Sequence, residues 1–147
     1  MKFTLALVFS VLSTLAAALP AEDIPTATVN VRYDQTYDNS GESLSVVACS
    51  DGPNGLLTKG FTTFGSLPGF PNIGAAQAVA GWNSPNCGTC WKLTYNGKSI
   101  NVIAVDHAGD GFNLSLEAMN TLTNGQAVFD GIVQATATQV AASQCGL

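Results

Sequence analysis

The chain has 147 residues, five basic against ten acidic side chains, and a formal net charge of −5. That length suits one domain with its own core and is too short for two ordinary ones, and the negative balance argues against nucleic-acid or anionic-membrane partners. Charged residues make up only 10% of the chain, where an average soluble domain carries ~25%; with 15 Gly and 7 Phe this reads as a loop-rich, mainly β protein rather than a disordered one.

The N-terminus sets the compartment. Lys2 is a short positive region, residues 3–15 are an apolar run broken only by hydroxyls, and Ala16-Ala17-Ala18 supplies small residues for signal peptidase. This is the pattern of a secretory signal over residues 1–18, too short for a membrane anchor. Cleavage after Ala18 would leave about 129 residues with four basic and ten acidic side chains, a net −6. The protein is expected to be extracellular. Residues 19–27 mix Pro20 and Pro25 with Glu22 and Asp23 and are expected to form a flexible leader, with the folded domain over residues 28–147.

Along that domain, Val29, Val31 and Tyr33 alternate with Asn30 and Arg32, the period of a half-buried strand. Residues 44–48 suggest a short apolar strand ending at Cys49. Residues 50–75 carry Gly52-Pro53, Asn54-Gly55, Pro68-Gly69 and Pro71-Asn72, a long stretch of turn chemistry. Residues 75–80 suggest one or two helical turns. Residues 91–95 and 99–106 flank Asn96-Gly97, a strong hairpin signal. Leu116, Met119 and Leu122 predict a short helix capped by Ser115 and ended near Asn124-Gly125, and residues 132–140 predict a last strand. Short strands and an irregular loop suggest a small β-barrel with minor helices.

Four cysteines remain beyond the signal: Cys49, Cys87, Cys90 and Cys145. An even count in a secreted chain implies two disulfides, with three pairings open. A redox Cys-x-x-Cys would open a helix, whereas Cys90 runs into the strand pattern of residues 91–95. A zinc site lacks a second ligand pair near by.

Several motifs, taken in order, resemble one family. They are Tyr33-Asp34-x-x-Tyr37-Asp38, Cys49-Ser50-Asp51-Gly52, Asn54-Gly55-Leu56, Pro68-Gly69-Phe70-Pro71-Asn72-Ile73-Gly74, Ala80-Gly81-Trp82-Asn83-Ser84-Pro85, Cys87-Gly88-Thr89-Cys90-Trp91, Val105-Asp106 and Gly111-Phe112-Asn113. The series resembles the cerato-platanins, small secreted fungal proteins. The resemblance implies a six-stranded double-psi β-barrel with short helices, akin to expansins, and bridges Cys49–Cys87 and Cys90–Cys145. It also implies a non-catalytic protein without cofactor that binds chitin or N-acetylglucosamine oligomers and loosens cell-wall polysaccharide. Self-assembly, association with the fungal wall and elicitation of plant defence, through plant surface receptors, belong to the same expectation. The implied sugar groove uses Ala48, Cys49, Ser50, Asp51, Cys87, Asp106, Gly111 and Asn113.

Asp106 sits at the end of an apolar strand and matches the acid-like aspartate of expansins. Read without the resemblance, it caps a turn. Glycoside hydrolysis ordinarily needs two carboxyl groups, about 5–5.5 Å apart for retention or about 6.5–9.5 Å for inversion. Asp110 and Asp51 are the available partners, so a weak hydrolase is the alternative function, and a surface-active hyphal coat is another. His107 is read as an exposed loop imidazole, and with one Asp beside it offers too few ligands for a metal. Trp82, Trp91, Tyr33, Tyr37 and Phe70 have rings able to stack on sugars; Trp91 is assigned to the core and Trp82 is left open. Asn113-Leu114-Ser115 is a glycosylation sequon on a groove position, so a glycan and a bound sugar would compete there.

Overall fold

Pro25 cannot donate to a sheet ladder, and the chain becomes a strand immediately after it. The computed structural model describes residue 17 and residues 25–147. The signal expected over residues 1–18, except Ala17, and the leader up to residue 24 lie outside the described residues. The expected leader, residues 19–27, overlaps the first strand at residues 26 and 27. Strand β1, Thr26–Tyr33, pairs Thr26 with Thr138 and Ala27 with Ala137, and the two threonine hydroxyls meet at 2.8 Å. A β-branched Thr with a cross-strand partner belongs to the sheet.

The remaining elements are β2 (Ile73–Ala76), β3 (Cys90–Tyr95), β4 (Lys98–His107), β5 (Phe112–Leu114), helices α1 (Leu116–Thr123) and α2 (Ala127–Asp130), and β6 (Val133–Val140). The strands close into a six-stranded barrel in the order β1-β5-β2-β4-β3-β6. β1 runs parallel to β5 and β2 parallel to β4, while the other neighbours are antiparallel. Asn96 and Gly97 both take positive φ, 46° and 77°, which the two-residue β3–β4 hairpin requires.

Two expected elements differ. Residues 44–48 form no strand: Leu44–Val46 is a 3-10 turn in which Ser43 Oγ accepts from Ser45 N, and the Ser43–Thr63 pairing beside it is an isolated bridge outside the barrel strands. Its apolar residues point different ways, with Leu44 buried and Val46 61% exposed. Residues 75–80 form no helix: Ala75 and Ala76 end strand β2, and residues 77–78 form a turn. Ile73–Ala76 is buried at every position and hydrogen-bonded on both sides, to β4 and β5, and a strand covered on both faces loses the alternation that would reveal it. Val102–Val105 of β4 are buried for the same reason: residues 34–72 pack over the outside of the barrel, where Cys49 N donates to Val105 O at 3.1 Å.

The bridges are Cys49–Cys87 and Cys90–Cys145, closing 38 and 55 residues, each contributing about 4 kcal/mol in the chain-entropy account. α1 is capped twice. Ser115 Oγ accepts from Ala118 N, and the Asp38 carboxylate accepts from Leu116 N and Glu117 N at 2.8 and 3.0 Å.

Candidate functional site

Pairing across four strands lays Asp106 of β4, Ala75 of β2, Asn113 of β5 and Arg32 of β1 in one row, and directly paired residues share a face of the sheet. Ala75 is buried; Asp106, Asn113 and Arg32 are half-buried. The row is outward-facing at the end of the barrel from which the chain leaves β4.

Asp106 is the anchor of this surface. Its Oδ1 accepts from Ala48 N and from His107 N, both at 2.9 Å, and its Oδ2 accepts from the Tyr37 hydroxyl at 2.9 Å. Asp106 pins its own turn, as the turn-capping reading has it, and also holds the residue 48–51 segment against β4. A carboxylate offers about four lone-pair sites, so three protein donors leave one on Oδ2. Tyr37 is buried against Phe64, ring centroids 5.9 Å apart, and its pKa is pushed well above the ordinary tyrosine value by burial first and then by the charge and hydrogen bond of Asp106.

From Ala48 the chain runs through Cys49 and Ser50, both buried, to exposed Asp51, and the Cys49–Cys87 bridge holds Cys87 beneath it. Asp51 Oδ1 accepts from Trp82 Nε1 at 2.6 Å and from Ser50 Oγ at 3.3 Å. The Trp82 bond holds the exposed Asp51 carboxyl below its ordinary value of 3.8. Ala48, Cys49, Ser50, Asp51, Cys87 and Asp106 are therefore contiguous, and Asn113 joins them along the row.

Gly111 is placed differently. Its N–H donates to Gln77 Oε1 at 3.1 Å and its carbonyl accepts from Gln77 N at 2.8 Å, so its N–H is already used within the fold. At φ 55° a Cβ there would lie 1.9 Å from Asn30 O. Gly111 allows β5 to approach β1, and it lines an apolar cavity of about 500 Å³ with Val29, Trp91, Phe112 and Ala137. Trp91, assigned to the core, is half-buried at the wall of that cavity, edge-on to Phe112 at 5.7 Å, with Nε1 donating to Thr89 Oγ1. The strand pattern of β3 gave its direction, but the mouth of a barrel is open where its middle is closed.

The other carboxylates belong elsewhere. Asp110 accepts from Asn30 Nδ2 at 2.9 Å and from Arg32 at 3.3 Å, which hold it below the usual carboxylate range, Asn30 first. His107 is exposed and directs Nδ1 at Val79 O, 2.5 Å away. A carbonyl only accepts, so Nδ1 carries the proton. Among the described residues no group of three or more His, Cys, Asp or Glu is placed to hold a metal. The sequence marks Tyr37 as a ring and as part of a family motif, but its hydrogen-bond partner lies 69 residues away, and no local signal links them.

The family model described as Cerato-platanin matches residues 29–147. The Heat-stable 19 kDa antigen of Coccidioides immitis is 46% identical over 143 residues, covering 95% of this chain and 98% of the relative. The crystal structure of cerato-platanin 3 from M. perniciosa superposes with a TM-score of 0.79 at 52% identity, over 82% of this chain and all of that one. The solution structure described as that of the fungal elicitor Cerato-Platanin matches with a TM-score of 0.71 at 41% identity, over 80% of this chain and 96% of that one.

Proposed function

The chain belongs to the cerato-platanin family, and from that premise we propose that it is a secreted, non-catalytic carbohydrate-binding protein. In this reading it holds chitin or N-acetylglucosamine oligomers at the surface formed by Asp106, residues 48–51 and Asn113. The observation that carries the reading is the hydrogen bonding of Asp106. Three protein donors fix its carboxylate in place and one lone pair stays available for a sugar hydroxyl. Hydrolysis needs a second carboxyl group acting with the first, and Asp51 and Asp110 are each bound in clusters of their own. Binding by competition for polysaccharide hydrogen bonds would loosen a wall without cutting it. The wall surface and plant surface receptors are the proposed partners; the solved relative described as a fungal elicitor supports the plant response.

Asp106→Asn tests this. The amide keeps an acceptor for Ala48 N and His107 N and a hydrogen-bonding group for Tyr37, so the fold survives while the charge is lost. Calorimetric titration with the chitin tetramer should give an affinity lower by roughly 1–2 kcal/mol, a five- to thirty-fold change. Unchanged affinity, or steady release of reducing ends by the wild-type protein that the substitution abolishes, overturns the reading.

The surface-active reading has its own support. Val128, Phe129 and Ile132 are 66%, 88% and 45% exposed at α2 and the turn after it, a protruding apolar tip. Phe129→Ser should weaken adsorption at an air–water interface and leave oligomer binding unchanged.

A further inference from the structure

Trp82 is 64% exposed, yet it is held from several directions. Its Nε1 donates to Asp51 at 2.6 Å. Gly52, at φ 80°, leaves room for the same edge of the ring: a Cβ there would stand 3.1 Å from Trp82 Cζ2 and 2.8 Å from Asn83 Oδ1. The next residue, Asn83, takes φ 57° and is clamped by Asn54, whose N–H donates to Asn83 Oδ1 and whose Nδ2 donates to Asn83 O, both at 3.0 Å. With the Nε1–Cζ2 edge turned against Asp51 and Gly52, the solvent-exposed area is ring face and the opposite edge. A large apolar ring left in water contributes little to the fold, and one whose orientation is fixed has already lost the freedom that binding would otherwise cost.

We propose that Trp82, set by Asp51 and Gly52, is a ring-stacking subsite for β-1,4-linked, gluco-configured saccharides, extending the Asp106 surface along residues 48–51. This assignment rests on the saccharide-binding reading above. In such sugars every ring substituent is equatorial, so the axial C–H bonds form a flat, weakly positive face that suits the negative face of an indole. The Asp51 carboxylate on Nε1 increases the electron density of that ring. A sugar with axial groups or α-linkages presents a bent face and fits poorly. The depressed pKa of Asp51 agrees with a carboxylate that is ionised, and so bound to the indole, throughout the physiological range.

The test is titration of the full secreted chain with the chitin tetramer, with maltotetraose as the α-linked control. It follows the indole N–H resonances, that of Trp82 being the one missing in Trp82→Phe. In the wild type the Trp82 resonance should shift with the chitin tetramer and not with maltotetraose, and acrylamide quenching of its fluorescence should fall. Trp82→Ala should lower the affinity on the order of ten-fold, and Trp82→Phe, which keeps a smaller ring, should lose less. A wild type that binds the tetramer with the Trp82 resonance unmoved and with Trp82→Ala equally tight overturns the subsite and leaves the Asp106 reading standing. A wild type that binds neither oligomer overturns both.

Discussion

Tyr37 and Asp106 constrain one another. A buried phenol donating to a carboxylate keeps its proton, so folding favours neutral tyrosine. Because the folded value lies above the unfolded 10.0, this contribution is complete below pH 10 and declines as pH rises beyond it. Spectrophotometric titration at 295 nm should show Tyr37→Phe losing no absorbance rise in the ordinary tyrosine range around pH 10. The aspartate side is costlier to disturb. Asp106→Ala would strand the Tyr37 hydroxyl and the N–H groups of Ala48 and His107, and thermal or urea unfolding should record a loss of about 3 kcal/mol, against a much smaller one for Asp106→Asn. Asp51 has the opposite sign from Tyr37. Its value is depressed, so the bond to Trp82 is complete above pH 3.8 and is lost as pH falls through the folded value. Its carboxyl resonance should titrate below 3.8, and Trp82→Phe should raise that midpoint. The strand pattern marks Asp106 as a strand-end residue that caps a turn, and only the family resemblance gives it a site role; the Tyr37–Asp106 and Trp82–Asp51 hydrogen bonds were not legible, because bonds between distant turns leave no periodic trace.

β5 is only three residues long, yet it closes the barrel, parallel to β1 and antiparallel to β2. It escaped the sequence reading because Phe112-Asn113-Leu114 is shorter than any pattern can register. Its position depends on Gly111, where the main chains of β5 and β1 come together. Gly111→Ala should cost about 3 kcal/mol or more and broaden the amide resonances of β1 and β5 before those of the β3–β4 hairpin. The hairpin, α1 and β6 were legible because each carries its own local signal: Asn96-Gly97, Ser115 with helical spacing, and strict alternation. β2 and residues 44–48 misled because small apolar runs look alike whether they are helix, strand or turn, and only the neighbours decide.

At the level of the whole molecule, a barrel with ten acidic and five basic residues in the full chain gains little from ion pairs; Arg32–Asp110 is exposed at both ends and is worth little. Closure of the sheet and the two bridges hold the fold, and reduction under native conditions should lower the melting temperature sharply, since losing one such bridge typically costs about 2–5 kcal/mol. The pairing has a further consequence for cleavage of the backbone. Cys87 and Cys90 stand three residues apart and reach to residue 49 on one side and residue 145 on the other. A single cut anywhere between Cys49 and Cys87, or between Cys90 and Cys145, therefore releases no fragment. Between Cys49 and Cys145, only the bonds from Cys87 to Cys90 would part the chain, and there Gly88 N donates to Ala104 O while Thr89 O accepts from Ala104 N, which ties that stretch to β4. Molecules nicked within either loop should run as one band on a non-reducing gel and as two once thiol is added, the covalent outline outlasting the continuity of the backbone.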